Sequence, residues 1–118
     1  MQPAYRYHAT VASIYDGDTF RADVDLGFST WIKNVSFRMF GINTPEIRGG
    51  TDETKQAGYA ARDRLRELMP IGSPILIEST KAGKYGRYLA DVFRETDGGV
   101  VHVNRVLLDE GHAVPFMA

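Results

Sequence analysis

The length of 118 residues predicts one globular domain. Hydrophobic residues make up 43% of the chain and charged residues 25%, which excludes a disordered polypeptide. Lys and Arg number 14 against 15 Asp and Glu, so the formal net charge is −1. A site for a polyanion must therefore concentrate its positive charge locally. The absence of cysteine excludes disulfides and thiolate metal sites.

No segment suggests targeting or membrane insertion. Residues 1–12 lack the apolar core of a signal peptide, and no apolar run reaches transmembrane length. We expect a chain that contacts no membrane and is cytoplasmic by default, or secreted if a longer precursor exists. Because no repeat or linker interrupts it, we expect a single domain over residues 1–118.

The N-terminal third predicts three strands. Residues 5–14 are rich in Tyr, Val and Thr, and Asp16-Gly17 predicts a turn. Residues 19–26 alternate, which indicates a half-buried strand with its apolar face formed by Phe20, Ala22, Val24 and Leu26. After a break at Gly27, residues 30–40 predict a third strand, whose inner face we assign to Trp31, Val35, Phe37 and Met39.

A loop and a helix follow. Residues 41–52 contain Pro45, Gly49 and Gly50 and predict a loop, with Thr51 as a helix cap. A helix is expected over residues 53–69, and Pro70 and Gly72 end it. The residues that recur at helical spacing are Ala57, Ala61, Leu65 and Leu68.

The C-terminal third predicts strands over residues 75–78 and 87–94, separated by a basic loop at 81–86. A turn at 97–99 leads to Val100-Val101, and a short helix is expected over residues 103–110. Its inward residues are expected to be Val103, Val106 and Leu107. This order predicts a β-rich α+β fold: a five-stranded OB-fold Greek-key barrel with a helix after strand 3 and a second helix after strand 5.

Two candidate functional segments lie in the predicted strands. Asp16-Gly17-Asp18-Thr19 places two carboxylates at a turn, where they are suitable ligands for a hard cation, although Asp-Gly alone also explains a turn. Arg38 lies between bulky apolar residues on the third strand, and taken alone it is better explained as an exposed polar residue on the outer face.

Two more lie in loops. Residues 42–46 bring an amide, a hydroxyl and a carboxylate together around Pro45, and a simple proline turn is the alternative. Residues 84–88 interleave basic and aromatic side chains, which suits phosphates and stacked bases, and a charged surface loop is the alternative. His8, His102 and His112 show no ligand spacing.

The order of these segments resembles the staphylococcal nuclease family over residues 5–114. The matching features are Asp-Gly-Asp-Thr, an arginine on the third strand, Thr-Pro-Glu before a helix, and Lys-Tyr-Gly-Arg opening the fifth strand. The resemblance implies a calcium-dependent nuclease, or one using another divalent cation, that hydrolyses DNA or RNA and leaves 3′-phosphates.

The resemblance also implies residue roles. Asp18, Asn43 and the Thr44 carbonyl are expected to bind the metal. Glu46 is expected to hold or deprotonate the attacking water. By the same resemblance, Arg38 and Arg87 are expected to contact the scissile phosphate. Lys84 and Tyr85 are expected to contact the nucleotide.

Two positions depart from the family pattern. Most members have an aspartate where this chain has Asn43, so we expect weaker metal binding. Phe116 and Met117 lie near the place where the family often has base-stacking tyrosines.

Two other functions remain open at this point. One is a non-catalytic OB-fold module that binds single strands or a protein and has a degraded metal site. The other is a structural or assembly protein that reuses the barrel. For the nuclease we expect a monomer whose partner is its DNA or RNA substrate, with no protein partner.

Overall fold

The computed structural model describes residues 5–79 and 87–116. Along these residues the chain forms strands and helices in the following order: β1 Tyr5–Asp16, β2 Thr19–Gly27, β3 Thr30–Met39, β4 Ile42–Asn43, α1 Asp52–Leu68, β5 Pro74–Ser79, β6 Tyr88–Thr96, β7 Gly99–His102, α2 Val103–Asp109 and β8 Val114–Pro115.

The main sheet closes on itself. Its strand order is β3-β2-β1-β5-β6-β7, and β3 also pairs with β6. That extra pairing is parallel and joins Phe37 to Tyr88 and Met39 to Ala90. Strands β1, β2, β3, β5 and β6 therefore form a ring, and β7 extends it as a hairpin with β6. The predicted β-rich α+β fold with two helices is confirmed.

The core fills this ring because apolar residues alternate along its strands. Phe20, Ala22, Ile77 and Val92 are fully buried and point inward. The two helices close the core with Leu65 of α1 and Leu107 of α2, which are also fully buried. In the parts of the chain that the structure describes, no helix is both long and apolar enough to span a membrane.

The β2–β3 hairpin corrects the predicted face of Trp31. Val24 pairs with Ile32, whereas Ala22 pairs with Val35, so one extra residue bulges out of β3 between them. Asn34 sits at this bulge with a φ of 59°. A single inserted residue reverses the inward and outward positions beyond it. Ile32 therefore shares the face of Val24, and Trp31 shares the outer face of Asp25. Both side chains are largely exposed at this end of the hairpin, Ile32 at 49% and Trp31 at 44%.

Helix α1 begins where the sequence indicated. Thr51 caps it, and the Thr51 and Thr54 side chains bond reciprocally to each other's backbone in a capping box. Its buried residues are Gly58, Ala61 and Leu65. Ala57, which we expected to face the core, is exposed.

The predicted loop over residues 41–52 contains a short strand. Ile42 and Asn43 form β4, which pairs antiparallel with Val114 and Pro115 of β8. The backbone N–H of Phe116 also donates to the carbonyl oxygen of Gly41 at 2.9 Å. Neither strand was expected, because two residues are too few to show a period-two pattern.

Candidate active site

Asp18 lies in the turn between β1 and β2 and is only 5% exposed. Its Oδ2 accepts a hydrogen bond from the backbone N–H of Thr44 at 3.0 Å and pairs with Nη1 of Arg38 at 3.0 Å. Its Oδ1 accepts from the Thr19 hydroxyl at 3.2 Å. Because a buried carboxylate needs such partners to stay ionised, these contacts hold a fixed negative charge at this end of the barrel.

Arg38 joins Asp18 to the loop after β3. While Nη1 contacts Asp18, its Nη2 donates to the carbonyl oxygen of Ile42 and to Oδ1 of Asn43, both at 3.2 Å. The guanidinium also lies 5.1 Å from the ring centroid of Phe116. The arginine that the sequence placed on an outer face is therefore half-buried and bridges two of the predicted metal ligands.

The two acids of the turn have different pKa values. Burial, the largest effect, and the neighbouring charge of Asp18 together raise the pKa of Asp16 to about 6. Burial also acts to raise the pKa of Asp18, but the Thr44 N–H, the Asp16 side chain and Arg38 together outweigh it and lower the pKa. Asp18 is therefore ionised at neutral pH.

Arg87 reaches the same cluster from the start of β6. Its Nη1 donates to the Thr19 hydroxyl at 3.3 Å, and that hydroxyl in turn donates to Asp18. Strand pairing explains this proximity: Thr19 is opposite Arg38 in the β2–β3 ladder, and Arg38 is opposite Leu89 in the β3–β6 ladder. Both arginines therefore lie at the same end of the barrel.

Thr44 and Glu46 follow β4. Thr44 is 4% exposed, and its hydroxyl Oγ1 is buried without a hydrogen-bond partner in the described part of the chain. Glu46, two residues later, is exposed. Within residues 5–79 and 87–116 the Glu46 carboxylate makes no hydrogen bond or ion pair. It is thus an acceptor open to a solvent molecule beside the buried cluster.

Close packing holds the turn against α1. A Cβ atom on Gly17 would lie 2.7 Å from the Cβ of Ala61 and 2.8 Å from Oγ1 of Thr44. Likewise, a Cβ on Gly58 would lie 2.8 Å from the carbonyl oxygen of Pro45. All three distances are too short for a real side chain, so glycine at these positions lets the helix contact the Asp18 turn and the Glu46 loop directly.

The residues expected to bind a metal suit a hard cation by ligand type. Asp18, Asn43 and the Thr44 carbonyl offer only oxygen atoms, which Ca²⁺ prefers. Oδ1 of Asp18 accepts one hydrogen bond within the described residues, and a carboxylate oxygen can accept two. Among those residues no three His, Cys, Asp or Glu side chains cluster together, so any metal here must use the amide and carbonyl oxygens as well.

Most of the predicted residues come together, and two are outside the described structure. Asp18, Arg38, Asn43 and Thr44 form one network, which Arg87 joins through Thr19, and Glu46 follows Thr44 by two residues. Lys84 and Tyr85 fall outside the described residues.

The resemblance gave no catalytic or metal-binding role to three other residues of the site. Asp16 and Thr19 belong to the same Asp-Gly-Asp-Thr segment as Asp18, and the Asp16 carboxylate was a candidate cation ligand there. Phe116 reaches Arg38 only through the pairing of β8 with β4.

Comparison with known proteins identifies the family of this chain. Residues 36–117 match the family model of the staphylococcal nuclease homologues. The chain is also 29% identical over 126 aligned positions to the uncharacterized protein MJ1439 of Methanocaldococcus jannaschii. That alignment covers 91% of this chain and 58% of the relative, so the chain spans little more than half of the relative's length. With the family model matching well over half of its residues, this chain belongs to the staphylococcal nuclease homologue family.

Proposed function

We propose that this protein is a metal-dependent nuclease that hydrolyses phosphodiester bonds of DNA or RNA and leaves 3′-phosphates. One observation carries the proposal: both arginines lie next to the ionised Asp18 at the same end of the barrel. Arg38 pairs with Asp18 at 3.0 Å, and Arg87 donates at 3.3 Å to the Thr19 hydroxyl, which bonds to Asp18. Two guanidinium groups beside a buried carboxylate suit a site that holds both a cation and a phosphate.

In this proposal the two arginines bind the non-bridging oxygens of the scissile phosphate. Phosphodiester attack increases the negative charge on those oxygens, and planar guanidinium groups already in place stabilise it without reorganisation. Arg38 is half-buried, and its contacts with Asp18 and Ile42 fix its orientation. Preorganisation of this kind typically contributes ~10²–10³ in rate for each donor.

Glu46 positions the attacking water. Its carboxylate is exposed and unpaired within the described residues, so it can accept a hydrogen bond from water and take its proton. The packing of Gly58 against the Pro45 carbonyl fixes the loop that carries it.

Asp18, Asn43 and the Thr44 carbonyl would hold the cation, with Ca²⁺ as the first candidate. Such an ion, when bound, polarises the phosphate and orients the substrate. The lowered pKa of Asp18 keeps the carboxylate charged for this purpose at neutral pH. Asn43 contributes an oxygen without a full charge, so we expect a high metal requirement.

The test is a cleavage assay on end-labelled single-stranded DNA and RNA in Ca²⁺, in Mg²⁺ and in chelator. We expect metal-dependent cleavage with 3′-phosphate ends, and a loss of ~10²–10³ in kcat/KM for Glu46→Gln and for Arg87→Ala. Arg105→Ala is the control, because Arg105 is exposed and pairs with Asp109 on α2. Tight binding without cleavage under any metal would instead favour the non-catalytic binding module.

A further inference from the structure

A groove of about 400 Å³ lies beside the proposed site and plays no part in the chemistry above. This volume is within the range of roughly 300–1,000 Å³ that ligand sites occupy. We call it the α1 groove. Its lining comes from the end of β1, the loop after β4 and one face of α1, and includes Tyr15, Ile47, Arg48, Lys55, Tyr59 and Arg62.

The charge of the α1 groove is opposite in sign to that of the whole chain. Its lining contains three cations, Arg48, Lys55 and Arg62, and no carboxylate. The chain as a whole has a net charge of −1. Within the described residues, Arg62 pairs with Asp63, whereas Arg48 and Lys55 have no ion-pair partner. The positive charge is thus concentrated locally, as a polyanion site requires.

Two exposed tyrosine rings accompany these cations. Tyr15 is 58% exposed and Tyr59 is 42% exposed, and the Arg62 guanidinium lies 4.7 Å from the centroid of the Tyr59 ring. Lys55, Tyr59 and Arg62 share one face of α1, because residues at this spacing lie above one another on a helix. Cations interleaved with exposed aromatic rings are characteristic of surfaces that bind single-stranded nucleic acid.

The chain segments that line the α1 groove also carry residues of the proposed site. Tyr15 of the groove immediately precedes Asp16, and Ile47 of the groove immediately follows Glu46. The close contact of Gly58 with Pro45 joins the helix to the same loop. A strand bound at Arg38 and Arg87 would therefore have the groove residues close by along both segments.

We propose that the α1 groove is an extended binding site for a single-stranded polynucleotide, in which Arg48, Lys55 and Arg62 contact phosphates and Tyr15 and Tyr59 stack with bases. This inference rests on the proposed function for its substrate class. It assigns affinity for long substrates to residues that take no part in bond cleavage.

Binding in chelator tests the groove without cleavage. Fluorescence anisotropy is measured with a labelled single-stranded 12-mer, in DNA and RNA versions of the same sequence, and with a dinucleotide. The test variant combines Arg48→Ala, Lys55→Ala and Arg62→Ala. A matched control removes the same charge elsewhere through Arg6→Ala, Lys33→Ala and Arg105→Ala, since each of these exposed cations pairs with its own acid.

We expect the groove variant to bind the 12-mer about 10–100-fold more weakly and the dinucleotide unchanged. The slope of log affinity against log salt should become shallower by about 2, since each lost phosphate contact removes about 0.7. Tyr59→Leu, which leaves the charge intact, should weaken the 12-mer by about 5–10-fold. The DNA and RNA versions show which polynucleotide the groove prefers.

Equal weakening by the groove and control variants would overturn the inference, because only net charge would then matter. So would competition by a polyglutamate peptide as effective as that by unlabelled 12-mer. Loss of the proposed function gives a different result: the 12-mer still depends on the groove residues, but no metal supports cleavage. That outcome supports the α1 groove and rejects the nuclease.

Discussion

Two buried polar side chains in this protein, Asp18 and Asn104, are equally hidden but bonded differently. Asn104 of α2 is 2% exposed, and its Oδ1 accepts from the Val92 N–H at 2.9 Å. Its Nδ2 donates to the carbonyl oxygens of Phe40 and Ala90. Both donor hydrogens are used, and the group is neutral, so it ties α2 to the barrel.

Asp18, in contrast, is charged and keeps acceptor capacity on Oδ1, and the hydroxyl of Thr44 beside it has no partner among the described residues. Buried polar groups are normally fully hydrogen-bonded, so a shortfall calls for an explanation. The comparison indicates that the saturated Asn104 holds the fold together, whereas the unsaturated groups around Asp18 lie where the proposed site would bind its ligands.

Replacing Asn104, whose hydrogen bonds are all satisfied, with a charged residue should have the largest effect on stability. Asn104→Asp replaces two donors with a charge that faces two carbonyl oxygens, which we expect to lower the free energy of unfolding by about 3–5 kcal/mol. Urea denaturation followed by circular dichroism measures this. Asn34→Asp, on the exposed hairpin, is the control and should change stability by no more than about 0.5 kcal/mol. Similar losses of unfolding free energy in Asn104→Asp and Asn34→Asp would show that the hydrogen bonds of Asn104 do not hold the fold together.

The reverse substitution, Asp18→Asn, should abolish the proposed nuclease activity while the protein still folds. The amide oxygen can still accept from the Thr44 N–H, and the NH2 group can donate to the Thr19 hydroxyl, so we expect a stability loss of only about 1–2 kcal/mol. Activity should fall by about 10² or more, because both the metal ligand and the charge that orients Arg38 are lost. The measurements are kcat/KM and urea denaturation on the same preparation. A variant that kept its activity would contradict the metal role of Asp18.

Asn43→Asp adds a negative charge to the proposed metal ligands around Asp18. A second carboxylate raises the charge of the ligand set, so we expect the Ca²⁺ concentration for half-maximal cleavage to fall by about tenfold. Calcium titration of the cleavage rate measures this. An unchanged midpoint would show that Asn43 is not a ligand.

Thr44→Val addresses the unpartnered hydroxyl and should have the smallest effect. Replacing a buried, unbonded hydroxyl with a methyl group of similar shape should raise the free energy of unfolding by about 1 kcal/mol. Thr54→Val is the matched control, because the Thr54 hydroxyl bonds in the capping box and its loss should destabilise by about 1 kcal/mol. If Thr44→Val weakened the metal response instead, the hydroxyl itself would be a ligand.

Local patterns predicted the secondary structure well where the signal was strong. Residue preference predicted β1, the alternation of apolar residues predicted β2 and β3, and Thr51 marked the start of α1. The face of Trp31 was wrong because a bulge at Asn34 depends on side-chain bonds from Asp23 and Arg21, which alternation does not show.

The site was predicted through the order of its motifs, since no single segment was specific. The sequence could not predict which residues of the site contact one another. The bridge from Arg38 to Asp18 and Asn43, and the position of Phe116, depend on pairing between distant strands. The α1 groove was missed because its residues come from three separate elements, and only their assembly brings the cations together.

The parallel pairing of β3 with β6 has a consequence for how this protein matures. It joins segments far apart in the chain, and contacts of that kind form late because closing a long loop costs entropy. Arg38 and Arg87 lie beside this seam, so the two arginines are brought together only when the ring closes. Under the function proposed above, a newly made chain that has not completed its barrel would therefore lack a working phosphate site.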